Sequence, residues 1–294
     1  MAVKCKPRWI VYVLLLSLCL LVIAGCARNS PQGNAYATSS PAAASSNSAS
    51  ASPGEPADSA AEQTELLVSA AESLSDALKE LVPKFQAAHP DIAVRLNLAS
   101  SGSLQQQIEQ GAPADLFISA GAKQMNALAD KQLTNPGLTR TLLTNDLVLV
   151  VPADSAASAV TAEDLTGSGF AKIAVGQPES VPAGMYAQQF LQHAGLWDTL
   201  LPKIVFAKDV RQVLTYVASG NVEAGLVYGS DAAGEPKVKV AMQVDPSAHD
   251  PIDYPAAVLA ESAHPEQAEV FYDYLFTQEA GEVFVKYGFK LAGK

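Results

Sequence analysis

The stretch ELLVSAAESLSDALKELVPKFQAAHPDIAVRLNLASSGSLQQQIEQGAPADLFISAGAKQMNALADK, residues 65–131, holds three short apolar runs, each followed by a helical pattern. The β-type runs are 65–70, 93–98 and 115–119, and the helical patterns are 74–88, 104–110 and 122–131. Strands that alternate with helices in this way read as βαβ units, a parallel sheet with helices on its faces. Pro83 lies inside the first helical pattern and is expected to kink or split it, because proline removes a backbone donor and crowds the preceding turn.

The alternation continues outward. Strands are expected at 147–151, 173–175, 204–206 and 224–228, with helices at 183–193 and 210–219, which makes a second α/β unit. The chain then returns to a strand at 256–260 and two helices at 265–276 and 279–287. The fold class is α/β. No repeat of fixed period, heptad seam or second transmembrane segment is visible.

Upstream, Lys4, Lys6 and Arg8 precede an uncharged apolar run over 9–24, the pattern of a secretory signal. The run ends in Ile23-Ala24-Gly25-Cys26, which resembles a lipobox, where the signal peptide (1–25) is cut and the cysteine is lipidated. The alternative is an uncleaved transmembrane anchor, for which about 16 apolar residues is slightly short. Both readings export the remainder. Cys5, Cys19 and Cys26 are the three cysteines, so the part beyond them has no disulfide, thiol nucleophile or thiolate metal site. Residues 26–63 are mostly Ser, Ala, Pro, Gly and Asn, a composition too apolar-poor to fold, and are expected to form a disordered tether.

About 230 residues remain, enough for two modest domains with real cores. Without Lys4, Lys6 and Arg8, sixteen basic residues face thirty acidic ones, a net charge of −14. Nucleic acid is thereby excluded as a partner, and so is an anionic membrane surface. His89, His193, His249 and His264 stand singly, with no HExxH and no i, i+4 pair. There is no GxSxG elbow, Walker loop or GxGxxG, and no two carboxylates are paired by the sequence for acid–base work. An enzyme is not expected, nor is a resident cofactor.

Several strand ends instead run into small polar residues that open a helix: Ser69-Ala70-Ala71-Glu72-Ser73-Leu74 and Ala99-Ser100-Ser101-Gly102-Ser103-Leu104. Free N–H groups and the positive end of the helix dipole favour an anion at such a junction, although a serine there is equally an ordinary N-cap. Two more helix starts follow, at Val181-Pro182-Ala183-Gly184 and Asp209-Val210-Arg211. In open α/β sheets ligands sit beyond the carboxyl ends of the strands, where all four junctions would lie.

These residues resemble the substrate-binding proteins of molybdate ABC transporters. The matching stretches are SAAESL (69–74), ASSGSL (99–104), GAPADLFISA (111–120), VGQPESVPAGMYA (175–187), KDVR (208–211), GLVYGSDA (225–232) and FYDYL (271–275). The resemblance implies a two-lobed periplasmic-binding-protein fold of type II, each lobe a mostly parallel sheet flanked by helices, joined by two crossing strands. Lobe 1 would comprise 64–144 and 254–294, and lobe 2 would comprise 145–253. It further implies oxyanion contacts at Ser73 and Ser101 through hydroxyl and backbone N–H, at Ala183 and Val210 through backbone N–H, and at Tyr228 through its phenol.

On its own, Tyr228 at the end of an apolar strand reads equally as a core residue with its hydroxyl at the rim. Glu72 departs from the small residue usual before that serine, and repulsion from a dianion should turn it outward to solvent. Gly102 stands where a further hydroxyl residue is common. Arg211 is expected to pair with a carboxylate such as Asp209 rather than to touch the ligand. The implied ligand is molybdate or tungstate and the implied partner a membrane permease. The chain is expected to be a monomer, anchored by lipidated Cys26 on the outer face of the cell membrane or facing the periplasm. Rival readings are a binding protein for another oxyanion such as sulfate, and an exported hydrolase of anionic esters.

Overall fold

The computed structural model describes residues 63–156 and 161–293. The expectations for the signal peptide, Cys26 and almost all of the tether lie outside the described residues. In chain order the elements are β1 (Thr64–Ala71), α1 (Ser75–Ala88), β2 (Ile92–Ala99), α2 (Ser101–Glu109), β3 (Leu116–Ile118), α3 (Ala122–Asp130) and β4 (Thr134–Thr144). Then come β5 (Leu147–Pro152), β6 (Ile173–Gly176), α4 (Pro182–His193), α5 (Trp197–Leu200), β7 (Ile204–Ala207), α6 (Val210–Ala218), β8 (Ala224–Tyr228), α7 (Gly229–Ala233) and β9 (Val238–Gln243). The last are β10 (Asp253–Leu259), α8 (Pro265–Leu275), α9 (Gln278–Lys286) and β11 (Lys290–Leu291).

Two sheets organise these elements. The first has six strands in the order β11-β4-β10-β3-β1-β2 and the second five in the order β7-β6-β8-β5-β9. The chain passes from the first sheet to the second through Asn145-Asp146, between β4 and β5, and returns between β9 and β10. Each sheet carries helices, which gives two lobes within one compact unit among the described residues.

Both sheets are mixed, where mostly parallel ones were expected. In the first, β1 pairs parallel with β2 and β3, but β10 runs antiparallel to both β3 and β4, and β11 antiparallel to β4. In the second, β6 pairs parallel with β7 and β8, while β5 runs antiparallel to β8 and β9. The antiparallel strands are those next to the two crossings, because a chain that leaves one sheet for the other re-enters without the helical crossover that a parallel neighbour requires. The β10–β4 register shifts at Tyr254/Pro255, where proline has no N–H to give the ladder.

Burial follows the apolar pattern. Leu66, Val68 and Ala70 alternate along β1 and are wholly buried, as are Leu78, Leu81 and Phe85 on one face of α1. A second apolar cluster joins Leu104 and Ile108 of α2, Phe117 of β3, and Met125 and Leu128 of α3. Pro83 does not split α1, which is continuous from Ser75 to Ala88. Pro83 and Lys79, one turn earlier, are both exposed, so water can take the carbonyl that loses its helical partner.

Candidate functional site

Four helix starts converge between the lobes. In the first lobe, β1 runs into a 3-10 turn, Glu72–Leu74, that carries Ser73, and β2 runs into α2. Ser100 is the N-cap of α2: its hydroxyl oxygen accepts the Ser103 N–H at 3.4 Å and its proton goes to Ser103 Oγ at 2.8 Å. Ser101 is the first residue of the helix. In the second lobe α4 opens with Pro182, whose fixed φ suits that position and which has no N–H to satisfy, so Ala183 brings the first free N–H. The start of α6 is capped by Asp209, which accepts the Gln212 N–H at 2.7 Å, and Val210 follows it.

These starts enclose a small cavity. Ala71, Glu72, Ser73, Ser100, Ser101 and Ala120 line it from the first lobe, and Val181, Pro182, Ala183, Asp209, Val210 and Tyr228 from the second. All five expected contact residues, Ser73, Ser101, Ala183, Val210 and Tyr228, are on this wall. Larger clefts exist elsewhere, as between α3, β4 and α8, but they gather no comparable set of helix starts.

The hydroxyls on the wall are oriented by their neighbours. Ser101 Oγ accepts the Ala120 N–H at 2.9 Å, which leaves its proton free for the cavity. Ser73 Oγ lies 3.0 Å from the hydroxyl of Tyr254, a wholly buried residue of β10. Tyr228 donates to the Ala120 carbonyl across the cleft at 3.2 Å, so its proton must turn from that carbonyl to serve a ligand. Burial pushes the Tyr228 phenol well above its usual range, which keeps it a donor at any physiological pH.

No lysine, arginine or histidine lines the cavity. Two carboxylates do, which corrects the expectation for Glu72. It is half-buried on the wall rather than turned away, and burial first and the Asp209 charge second raise its pKa. No local pattern signals this, because Asp209 comes from the other lobe.

Behind the wall, Arg211 pairs across the cleft with Asp76 of α1, and its Nε lies 3.7 Å from Asp231 Oδ1. The expected carboxylate pairing of Arg211 is thus present, with Asp76 rather than Asp209 as the partner. Asp231 is fully buried, accepts the Tyr228 N–H at 3.3 Å, and is pushed up to about 7 by that burial. Sequence reasoning also missed Tyr254 and Asn145, which touch the wall only through tertiary contacts and carry no local signal.

A family model described as bacterial extracellular solute-binding protein matches residues 66–290. The chain belongs to that family. Among its relatives, the molybdate-binding protein ModA of Escherichia coli is 40% identical over 235 residues, covering 79% of this chain and 91% of that protein. A Bacillus subtilis protein, provisionally named an ABC transporter substrate-binding lipoprotein, YvgL, is 43% identical over 224 residues, 76% of this chain and 85% of its own length. Among solved structures, the periplasmic molybdate-binding protein of Azotobacter vinelandii matches with a TM-score of 0.70 and 27% identity, over 77% of this chain and 99% of that one. Family members bind solutes, which agrees with a site built of hydrogen-bond donors. Among the described residues no group of His, Cys, Asp and Glu could hold a metal ion, and no helix is long and apolar enough to cross a membrane.

Proposed function

We propose that the protein captures molybdate, and tungstate as well, between its two lobes and delivers it to the permease of an ABC importer. The observation that carries this reading is a cavity walled by donors from four helix starts, with no cationic side chain. Ser73 and Ser101 contribute hydroxyl and N–H, Ala183 and Val210 contribute N–H, and Tyr228 its phenol. The names of the relatives, molybdate-binding proteins at 33–40% identity in several bacteria, point to the same ligand.

With a protein charge this negative, capture depends on local donors rather than on the overall field, which is screened beyond about 10 Å at moderate salt. Hydrogen bonds to charged groups contribute about 1.5–3 kcal/mol each, so five to seven of them offset the lost freedom of the ion and reach micromolar affinity or better. Glu72 and Asp209 oppose a dianion and set an upper limit on that affinity. A lobe made of 64–144 with 254–294 closes on a lobe made of 145–253. A lipid on Cys26 and a tether over 26–63 keep a monomer near its permease on the outer face of the membrane, where tethering raises its local concentration.

Calorimetry with molybdate, tungstate, sulfate and phosphate tests the reading. Ser73→Ala and Tyr228→Phe each weaken molybdate binding about tenfold with the fold intact, a loss of one such hydrogen bond. Ser101→Ala also strands the buried Ala120 N–H, so it costs about 1–3 kcal/mol of stability as well. Unchanged molybdate affinity in all three variants, or equal affinity for sulfate, overturns the proposal.

A further inference from the structure

We infer that the protein takes up a proton from the solvent as the oxyanion enters, and that the carboxyl of Glu72 holds it. This rests on the reading that a dianion occupies the cavity.

Glu72 and Asp209 stand on the wall of one small cavity, the first from the lobe of β1 and the second from the lobe of α6. A dianion added beside two carboxylates brings like charges together where little water remains, and groups so placed give up charge by binding protons. The two carboxylates are not equally able to do this. Asp209 is held in its charged form: it caps α6, its Oδ1 accepts the Gln212 N–H at 2.7 Å, and Lys208 Nζ lies 3.9 Å from its Oδ2. The positive end of the helix favours that charge as well.

The Glu72 carboxylate has no hydrogen bond and no ion pair among the described residues. The cations whose charge reaches it are engaged elsewhere: Arg211 pairs with Asp76 and faces Asp231, Lys208 leans on Asp209, and Lys79 lies 3.9 Å from Asp76 on the exposed side of α1. Burial first and the Asp209 charge second already raise the Glu72 carboxyl above its usual value, and a dianion acts in the same direction.

The step balances without any change in the ligand. Solvent gives a proton, an O–H bond forms on a Glu72 carboxylate oxygen, and no bond of the oxyanion breaks. A repelling acceptor thereby becomes a donor, with acceptors beside it on the oxyanion and on Asp209. The site gains one net negative charge instead of two.

The sign of the pH dependence follows. The proton is bound more tightly in the complex than in the free protein, so affinity is greatest below the free-protein pKa of Glu72. It falls as pH rises from that value to the value in the complex, and is level above it. Asp231 is the other carboxyl nearby with a raised pKa, but it lies behind the wall under the Tyr228 N–H rather than on it.

The test uses the folded chain with molybdate as the probe. Calorimetry in buffers of different ionisation enthalpy counts the protons taken up per ion bound. Wild type takes up roughly half a proton or more near neutral pH, and its affinity falls at least about threefold per pH unit, where a full proton would give about tenfold. Glu72→Gln keeps the shape of the side chain and presents a donor in place of the carboxyl. It loses that uptake, and above neutral pH it binds molybdate roughly tenfold more tightly than wild type, the equivalent of about one pKa unit. Titration of molybdate itself is common to both proteins and cancels in the difference. Asp231→Asn retains the uptake, and Glu72→Ala takes the place of Glu72→Gln should that variant not fold. Molybdate binding by wild type without proton uptake, equal uptake in the Glu72 variant, or its loss in Asp231→Asn overturns the inference. Failure of wild type to bind molybdate in any buffer instead overturns the ligand assignment beneath it.

Discussion

The N–H of Gly102 donates to the carbonyl of Ser180 across the cleft at 2.9 Å, and a Cβ at position 102 would lie 2.5 Å from that oxygen. The glycine that departs from the motif is thus the residue that lets the two backbones meet. A methyl group there would meet the Ser180 backbone as long as the two lobes stand together, and would be free of it in the proposed open form.

Gly102→Ala should therefore leave the ligand-free protein as stable as before, or steadier by up to about 1 kcal/mol because alanine is the better helix former. Molybdate binding should weaken roughly tenfold, since overpacking a closed contact costs about 1–3 kcal/mol and the competent state becomes rarer by that factor. Thermal denaturation and calorimetry on the same sample check both halves. Affinity equal to wild type would mean that Ser180 moves aside.

Arg211 and Asp76 meet from the two sides of the cleft, so the proposed opening of the lobes would separate them. Asp76 is 43% exposed, and solvent screening limits the pair to the range of surface bridges. Arg211→Gln and Asp76→Asn should each weaken molybdate binding by about two- to fivefold, mostly through faster release. The double variant should be no weaker than either single one. Additive losses in such a cycle would show that the two residues act separately.

Asp231 gives the fold a pH dependence of known sign. Its carboxyl is raised from 3.8 to about 7 by burial, with Asp76 and Glu72 adding to the rise and Arg211 and the Tyr228 N–H opposing it. Between those values the folded chain binds more protons than the unfolded one, so this residue's contribution falls as pH rises to about 7 and is level above it. Asp231→Asn keeps an acceptor for Tyr228 and cannot ionise. Relative to that variant, wild type should lose a few kcal/mol between about pH 4 and about pH 7, seen by urea denaturation across the range. Curves that stay parallel would exclude Asp231 as the source.

The alternation of β1 through α3 was legible in the sequence because each strand is an apolar run bounded by turn residues and each helix has a buried stripe. β4 was not. Its sequence, TNPGLTRTLLT, is largely exposed and carries Pro136-Gly137, and it is a strand only because β10 and β11 pair with it from more than a hundred residues away. β9 escaped for a similar reason, as an edge strand with Val238 buried and Val240 46% exposed. Of the site, the helix starts were readable because capping and strand-end rules are local. Glu72, Asn145 and Tyr254 take their roles from residues far along the chain, and no local rule reaches that distance.

The place of β10 between β3 and β4 governs the order in which the molecule can assemble. Every strand of the second sheet lies within 147–243, so that lobe is complete once this continuous stretch is available. The first sheet has a gap at its centre until residues 253–259 arrive, and until then β3 and β4 present unpaired edges. A chain that emerges from its N-terminus finishes the later lobe first and the earlier lobe last, by inserting a single strand. Half of the cavity wall, Ser73, Ser101 and Ala120 among it, belongs to the lobe that is finished last, so a half-made carrier lacks a firm hold on its cargo.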